Sequence, residues 1–183
     1  MTSELFLSHS TTKLTQMTAY IEACLSKLTP DQIWNRTHHS QNSVGNLVLH
    51  LSGNVRQWIG STIGGKPDVR DRDQEFSADQ VPELLLTLKT TVSQAIEILE
   101  NLPPDRLTER VSTQDGDRSI LEVIYQVVGH FQQHTGQIIF ATKLLSGEDL
   151  KFYAPAKKST CPCRYVRPDS ILEGRDVSSA TVC

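Results

Sequence analysis

The chain has 183 residues, 38% hydrophobic and 21% charged, with a formal net charge of −3; that length suits one domain with a full core and makes two a squeeze, and the composition argues against disorder over most of it. The slight acidity, with no basic stripe interleaved with aromatics, excludes a nucleic-acid-binding surface. No apolar stretch is long enough for a bilayer, and Met1-Thr2-Ser3-Glu4-Leu5 lacks the basic and apolar regions of a signal peptide, so a cytoplasmic protein is expected.

The first helix is expected from about Ser3 to Leu28, where Leu7, Leu14, Met17, Ile21, Leu25 and Leu28 recur at three- and four-residue steps and their sums. Next comes Leu28-Thr29-Pro30-Asp31-Gln32-Ile33-Trp34, in which Thr29 caps a short new turn, Pro30 suits its first position and Gln32 completes a capping box. After a polar loop from Asn35 to Gln41, a second helix starts near Asn42 or Ser43 and runs to about Ser61. It buries Val44, Leu47, Val48, Leu51, Val55 and Trp58. Gly64-Gly65-Lys66-Pro67 and the charged stretch to Glu75 form a long central connection. The third helix is predicted from near Asp79, with Pro82 in its first turn and Leu85, Leu88, Val92, Ala95, Ile96 and Leu99 as its buried stripe. It stops at Leu102-Pro103-Pro104-Asp105-Arg106-Leu107, an echo of the earlier turn. A second polar loop with Asp115-Gly116-Asp117 follows. Ser119 with Glu122 then forms a capping box for a fourth helix reaching about Leu145, with Ile120, Ile124, Val127, Phe131, His134 and Ile138 facing inward.

Helix, Leu-x-Pro-Asp turn, loop, helix therefore occurs twice. The expected architecture is all-α, a four-helix bundle of two repeated helix–turn–helix units with a long central crossover. The bundle is placed in residues 1–153 and a flexible tail in residues 154–183, where no periodicity appears. Cys24 lies in the first helix and Cys161, Cys163 and Cys183 in the tail; in a reducing compartment they are thiols rather than a disulfide framework. The Cys161-Pro162-Cys163 pair reads as part of a non-essential extension.

The candidate chemistry lies in the second helix of each unit. His130 and His134, in Gly-His-Phe-Gln-Gln-His-Thr-Gly, are four residues apart and stack on one helical face, where both can grip one cation. His50, in Asn-Leu-Val-Leu-His-Leu-Ser-Gly-Asn, occupies the matching helix of the other unit. A single histidine on an apolar face is more often a hydrogen-bonded core residue than a ligand. Two packed helices offering three imidazoles tip the balance towards a divalent metal with a coordination position left open. Zinc, nickel, iron and manganese all accept imidazole, and the sequence does not rank them. Three neutral ligands leave the ion its full charge, which permits hydrolysis or substitution by an activated thiol. Gln132 and Gln133 fill the positions between the histidines, so the His-Glu-x-x-His pattern of zinc proteases is absent, and no general base is evident. Gln133, Gln137 and Asn54 are candidates for orienting ligands or substrate, with a solvated polar role equally open. His9, His38 and His39 read as solvated, with His38 or His39 within reach of a site mouth.

These residues resemble a known family. Leu-Thr-Pro-Asp-Gln-Ile-Trp, Asn-Ser-Val-Gly-Asn-Leu-Val-Leu-His-Leu-Ser-Gly-Asn-Val-Arg-Gln-Trp-Ile and Gly-His-Phe-Gln-Gln-His-Thr-Gly-Gln-Ile are together similar to the DinB-like (YfiT-like) metalloenzymes, over about Thr2 to Tyr153. The resemblance implies a four-helix bundle, often dimeric, with a metal held by His50, His130 and His134. It also implies a metal-dependent thiol S-transferase or related small-molecule detoxifying enzyme, using a low-molecular-weight thiol such as bacillithiol or mycothiol. A metal-dependent hydrolase of a small substrate and a non-enzymatic helical binding module are the alternatives. Asn35-Arg36-Thr37-His38-His39 departs from the Trp- and Pro-containing stretch more usual there, so the site mouth is expected to differ.

Overall fold

The computed structural model describes residues 1–38 and 40–152; His39 and the predicted tail at 154–183, with Cys161, Cys163 and Cys183, lie outside the described residues. Helix α1 spans Thr2–Leu25 and buries the predicted stripe, with Leu14 and Ile21 fully enclosed. A turn through Ser26 leads to α2, Pro30–Trp34, which carries the expected capping box. The Gln32 backbone N–H donates to Thr29 Oγ1 at 3.3 Å, and the Thr29 N–H donates to Gln32 Oε1 at 2.9 Å. The Gln32 side chain also donates to the Leu145 carbonyl at 3.0 Å, fixing this turn to the end of the last helix.

Helix α3, Val44–Val55, begins at a second capping box between Ser43 and Asn46. It continues without interruption into a wider π-helical turn, Arg56–Ser61, in which the Thr62 N–H reaches back to Gln57 and the Gly64 N–H to Ile59. Such turns rotate the following side chains relative to the α-helix before them. The central connection carries a short helix absent from the sequence reading: α4, Arg72–Ser77, capped by Asp71.

Helix α5 spans Leu84–Glu100, so the expected start near Asp79 is corrected and Pro82 lies outside the helix. The physical reason is local. The Ala78 carbonyl is taken by Asn46 at 2.8 Å and by Arg36 at 3.1 Å, which holds the chain extended there, and Glu83 adopts a left-handed φ of 55° that helical geometry cannot pass through. The buried stripe begins one residue early, at Leu84, and Leu85 and Ile96 are only half-buried. After a 3₁₀ turn at Pro104–Thr108, the expected second loop is partly a hairpin. Strands β1, Arg110–Thr113, and β2, Gly116–Ser119, pair antiparallel, and Gly116 supplies the φ of 101° that closes the turn. Helix α6, Ile120–Ser146, opens on the predicted Ser119–Glu122 box and closes at Gly147, whose left-handed backbone returns an N–H to Lys143.

The fold is all-α apart from that hairpin. Helices α1, α3, α5 and α6 are the bundle: α1 lies against α5 and α6, and α3 lies against the same two. Phe131, Leu51, Ile124 and Leu88 are fully buried between them, each contributing about 1.5–3 kcal/mol through removal from water. This packing brings His50 on α3 to face His130 and His134 on α6.

Candidate metal centre

The facing registers of α3 and α6 place all three histidines in one cluster, with their ligating atoms within 4.8 Å of one another. His50 is buried; His130 and His134 are half-buried. Nε2 of His50 and Nε2 of His130 are 2.9 Å apart. The three rings meet edge to face, with centroids 4.4 to 5.1 Å apart and planes at 70° to 88°. Edge-on rings turn their nitrogens towards a common region instead of stacking.

His50 is held from behind by the crossover. Its Nδ1–H donates to Glu75 Oε2 at 3.0 Å, which leaves the Nε2 lone pair facing the other histidines. Arg70 grips the same carboxylate twice, Nε to Oε1 at 2.8 Å and Nη2 to Oε2 at 2.9 Å, with both side chains almost fully buried. Arg70 Nη2 also lies 3.1 Å from His50 Nδ1, but a nitrogen whose proton points at Glu75 cannot accept, so that approach is a neighbour contact. The π-helical turn contributes Gln57, whose Oε1 accepts from Arg70 at 2.9 Å and whose Nε2 donates to Asp68 at 2.7 Å.

The backbone around Glu75 is anchored just as firmly. Buried Asn46 donates to the Glu75 carbonyl at 3.0 Å, and Arg36 donates to the Phe76 carbonyl at 2.7 Å. The Phe76 ring then packs against His50 at 4.8 Å between centroids. Gly53, one turn after His50, makes the approach possible: a Cβ there would lie 1.7 Å from Glu75 Oε1.

The electrostatics favour neutral His130 and His134 and an ionised Glu75. Burial works against the charge of Glu75, yet the hydrogen bonds from His50 and Arg70 outweigh it and hold the carboxyl below its ordinary value. Burial, helped by His134, His50, Arg70 and Arg72, drives His130 down to about 4. His134 is also lowered, by burial against the opposing pull of its hydrogen bond to Gln137. That bond, Nδ1–H to Gln137 Oε1 at 2.7 Å, orients the third ring and leaves its Nε2 available.

Of the other residues singled out from the sequence, Gln137 therefore orients a site histidine and Gln133 is exposed. Asn54, one turn past His50, is buried with its Oδ1 lacking a hydrogen-bond partner among the described residues. His9 is exposed on α1, and exposed His38 turns Nδ1 to Ser40 at 2.8 Å. The sequence reading missed Glu75, Arg70 and Gln57, leaving them in a charged connection and on a helix flank. One signal was present: a glycine in mid-helix costs about 1 kcal/mol relative to alanine, and Gly53 sits there one turn from a candidate ligand.

The donor set fits a divalent cation. Burial disfavours the charged forms of His130 and His134, and His50 and His134 each have an acceptor behind Nδ1 that leaves Nε2 free to ligate. Ligation at about 2.1 Å needs nitrogens roughly 3–3.5 Å apart, close to the His50–His130 spacing.

An all-α bundle of this architecture has the DinB-like fold. The fold is similar to that of a DinB-like protein, YjoA from Bacillus subtilis, with a TM-score of 0.61 at 16% sequence identity, over 83% of this chain and 99% of that one. The family described as "Protein of unknown function (DUF1572)" matches residues 1–158, and the chain belongs to that family. No curated protein matches the chain. No helix among the described residues is long and apolar enough to cross a membrane.

Proposed function

We propose that His50, His130 and His134 hold one divalent ion, and that the protein is a metal-dependent thiol S-transferase or a related small-molecule detoxifying enzyme. The observation that carries the first part is the convergence of three imidazoles from two helices, with two of them half-buried and so within reach of a small substrate. Held by three uncharged donors, such an ion supplies its full double charge and lowers the pKa of a coordinated thiol towards neutrality.

The chain's own residues do the rest. Glu75 and Gln137 keep His50 and His134 in the tautomers that present Nε2. Arg70 balances the buried Glu75 charge. The same saturation of Glu75 favours thiol transfer over hydrolysis. A carboxylate engaged by His50 and twice by Arg70 is a poor proton shuttle, and a thiol ionised by the metal does not need one. The thiol is read as a low-molecular-weight one, as the family resemblance implies.

Elemental analysis of protein purified without chelators is expected to give about one divalent ion per chain, with loss of the ion in His134→Ala. A panel of thiols and electrophiles then separates transferase from hydrolase, because only the former depends on the thiol. A second reading rests on one specific contact: at 2.9 Å, His50 Nε2 and His130 Nε2 can share a proton, as in a metal-free binding module. Metal-free protein whose His134→Ala variant matches the parent in metal titration would establish that reading instead.

A further inference from the structure

A cavity of about 410 Å³ opens beside the histidine cluster, between the first turns of α3, the loop around residues 35–42 and the C-terminal half of α6. Val44, Leu47, Ala141 and Leu145 give it apolar walls, and uncharged side chains of the loop complete the lining. Among the described residues, no charged side chain contributes. Two lining residues connect it to the site. Leu47 lies one helical turn before His50, and Gln137 is the residue whose Oε1 accepts from His134 Nδ1. With Oε1 so occupied, Gln137 has its Nε2 protons left to offer an occupant. The volume falls within the range of small-molecule sites, and apolar walls with a few amide groups are the usual composition of such a site.

We propose that this cavity binds the uncharged, apolar portion of a small neutral substrate whose carbonyl-type acceptor receives a hydrogen bond from Gln137 Nε2. The proposal rests on the metal-site reading for its role as substrate pocket, but the binding itself does not need the ion. The absence of lining charge disfavours anionic or cationic groups, which would give up hydration there without a countercharge. An alkyl or aryl group loses nothing by entering and removes apolar wall from water. Phe140 and Leu144, 65% and 70% exposed, stand at the edge and extend the apolar surface around the bound group.

The test uses a homologous series of 2-alkanones from butanone to nonanone, titrated calorimetrically into the full chain, both chelator-treated and zinc-loaded. Each added methylene is expected to tighten binding about fourfold until the cavity is full, since burying one is worth about 0.8 kcal/mol. Ala141→Trp, which fills the cavity, should weaken the longer ketones at least tenfold. Asn42→Trp blocks the cavity from an exposed loop position and should do the same if the first variant folds poorly. Gln137→Leu should weaken every ketone by a similar factor while leaving the dependence on chain length intact. Binding indifferent to chain length, or to both tryptophan variants, would overturn the pocket. So would binding that weakens as protein concentration rises, because a second copy of the chain would then be the occupant. The chain-length dependence in chelator-treated protein reports the pocket alone, and metal content of the same samples reports the histidine site, so failure of either is seen separately.

Discussion

The two halves of the bundle repeat one plan in sequence yet hold their histidines in different ways. On the α3 side, His50 is buried and backed by a carboxylate that is itself gripped by an arginine, anchored through its backbone and seated against a glycine. On the α6 side, His130 and His134 are half-buried, and among the described residues the hydrogen bond behind them is to a neutral amide one turn along the same helix. The difference assigns the halves separate work. On the proposed metal-site reading, a ligand backed by a charged, enclosed network would resist displacement, whereas ligands at the half-open face would leave room for a substrate beside them. The crossover supplies the carboxylate and the arginine that back His50 on the α3 side.

Removing a ligand breaks the comparison outright. His50→Ala and His134→Ala should both abolish stoichiometric metal binding in equilibrium dialysis, since two imidazoles hold a divalent ion far more weakly than three. Glu75→Gln is the next largest and should separate the sides. Metal affinity is expected to fall about 10–100-fold as His50 loses its fixed tautomer. Stability should fall by about 3 kcal/mol, because Arg70 is left as a buried charge without its partner. Chemical denaturation with and without zinc measures both; an unchanged affinity would show that Glu75 supports the fold and not the ligand. Gly53→Ala follows, at about 1–3 kcal/mol, because its methyl group occupies the place of Glu75 Oε1 and forces the carboxylate back. It should carry a smaller loss of metal affinity in the same direction.

The sequence displayed the α6 side much better than the α3 side, for a physical reason. A repeat of three and four residues, two capping boxes of the Ser/Thr-x-x-Glu/Gln type and a His-x-x-x-His step are all local, and α6 and the Thr29 turn appear where those signals put them. Glu75 meets His50 across 25 residues of sequence, through a helix of six residues whose periodicity is too short to read. Arg70 and Gln57 join that network only because the π-helical turn and the crossover bring them round. The misplaced start of α5 has the same origin, since tertiary hydrogen bonds from Asn46 and Arg36 to Ala78 override a local pattern that suits a helix. The hairpin at Arg110–Ser119 was legible in principle from Asp115-Gly116, a turn signal between two short strands.

Gln137→Ala tests the looser side. It should reduce metal affinity only a few-fold and stability by less than about 0.5 kcal/mol, since a water can replace an exposed amide behind His134. A loss as large as that of Glu75→Gln would erase the distinction between the halves.

A further expected effect separates the two sides along the pH axis in chelator-treated protein. His130 and His134 have lowered pKa values in the fold, so below pH 6.5 the unfolded chain binds protons that the folded one refuses, at His130 down to about pH 4. Their contribution is complete above pH 6.5 and is lost progressively as pH falls below it, for His130 down to about 4. For half-buried groups screened by solvent, about 1 kcal/mol is a fair scale. Glu75 also has a lowered pKa, but as a carboxylate it loses its contribution only below its ordinary value of 4.5, as pH drops through the folded pKa. The melting temperature should therefore decline gently from pH 7 to 5 in the parent chain and stay flatter over that interval in His130→Gln. Glu75→Gln should change only the steeper descent at lower pH. A melting temperature that is level from pH 7 to 5 in the parent chain would mean that the α6 imidazoles are solvated after all, and that the two halves differ less than their hydrogen bonds indicate.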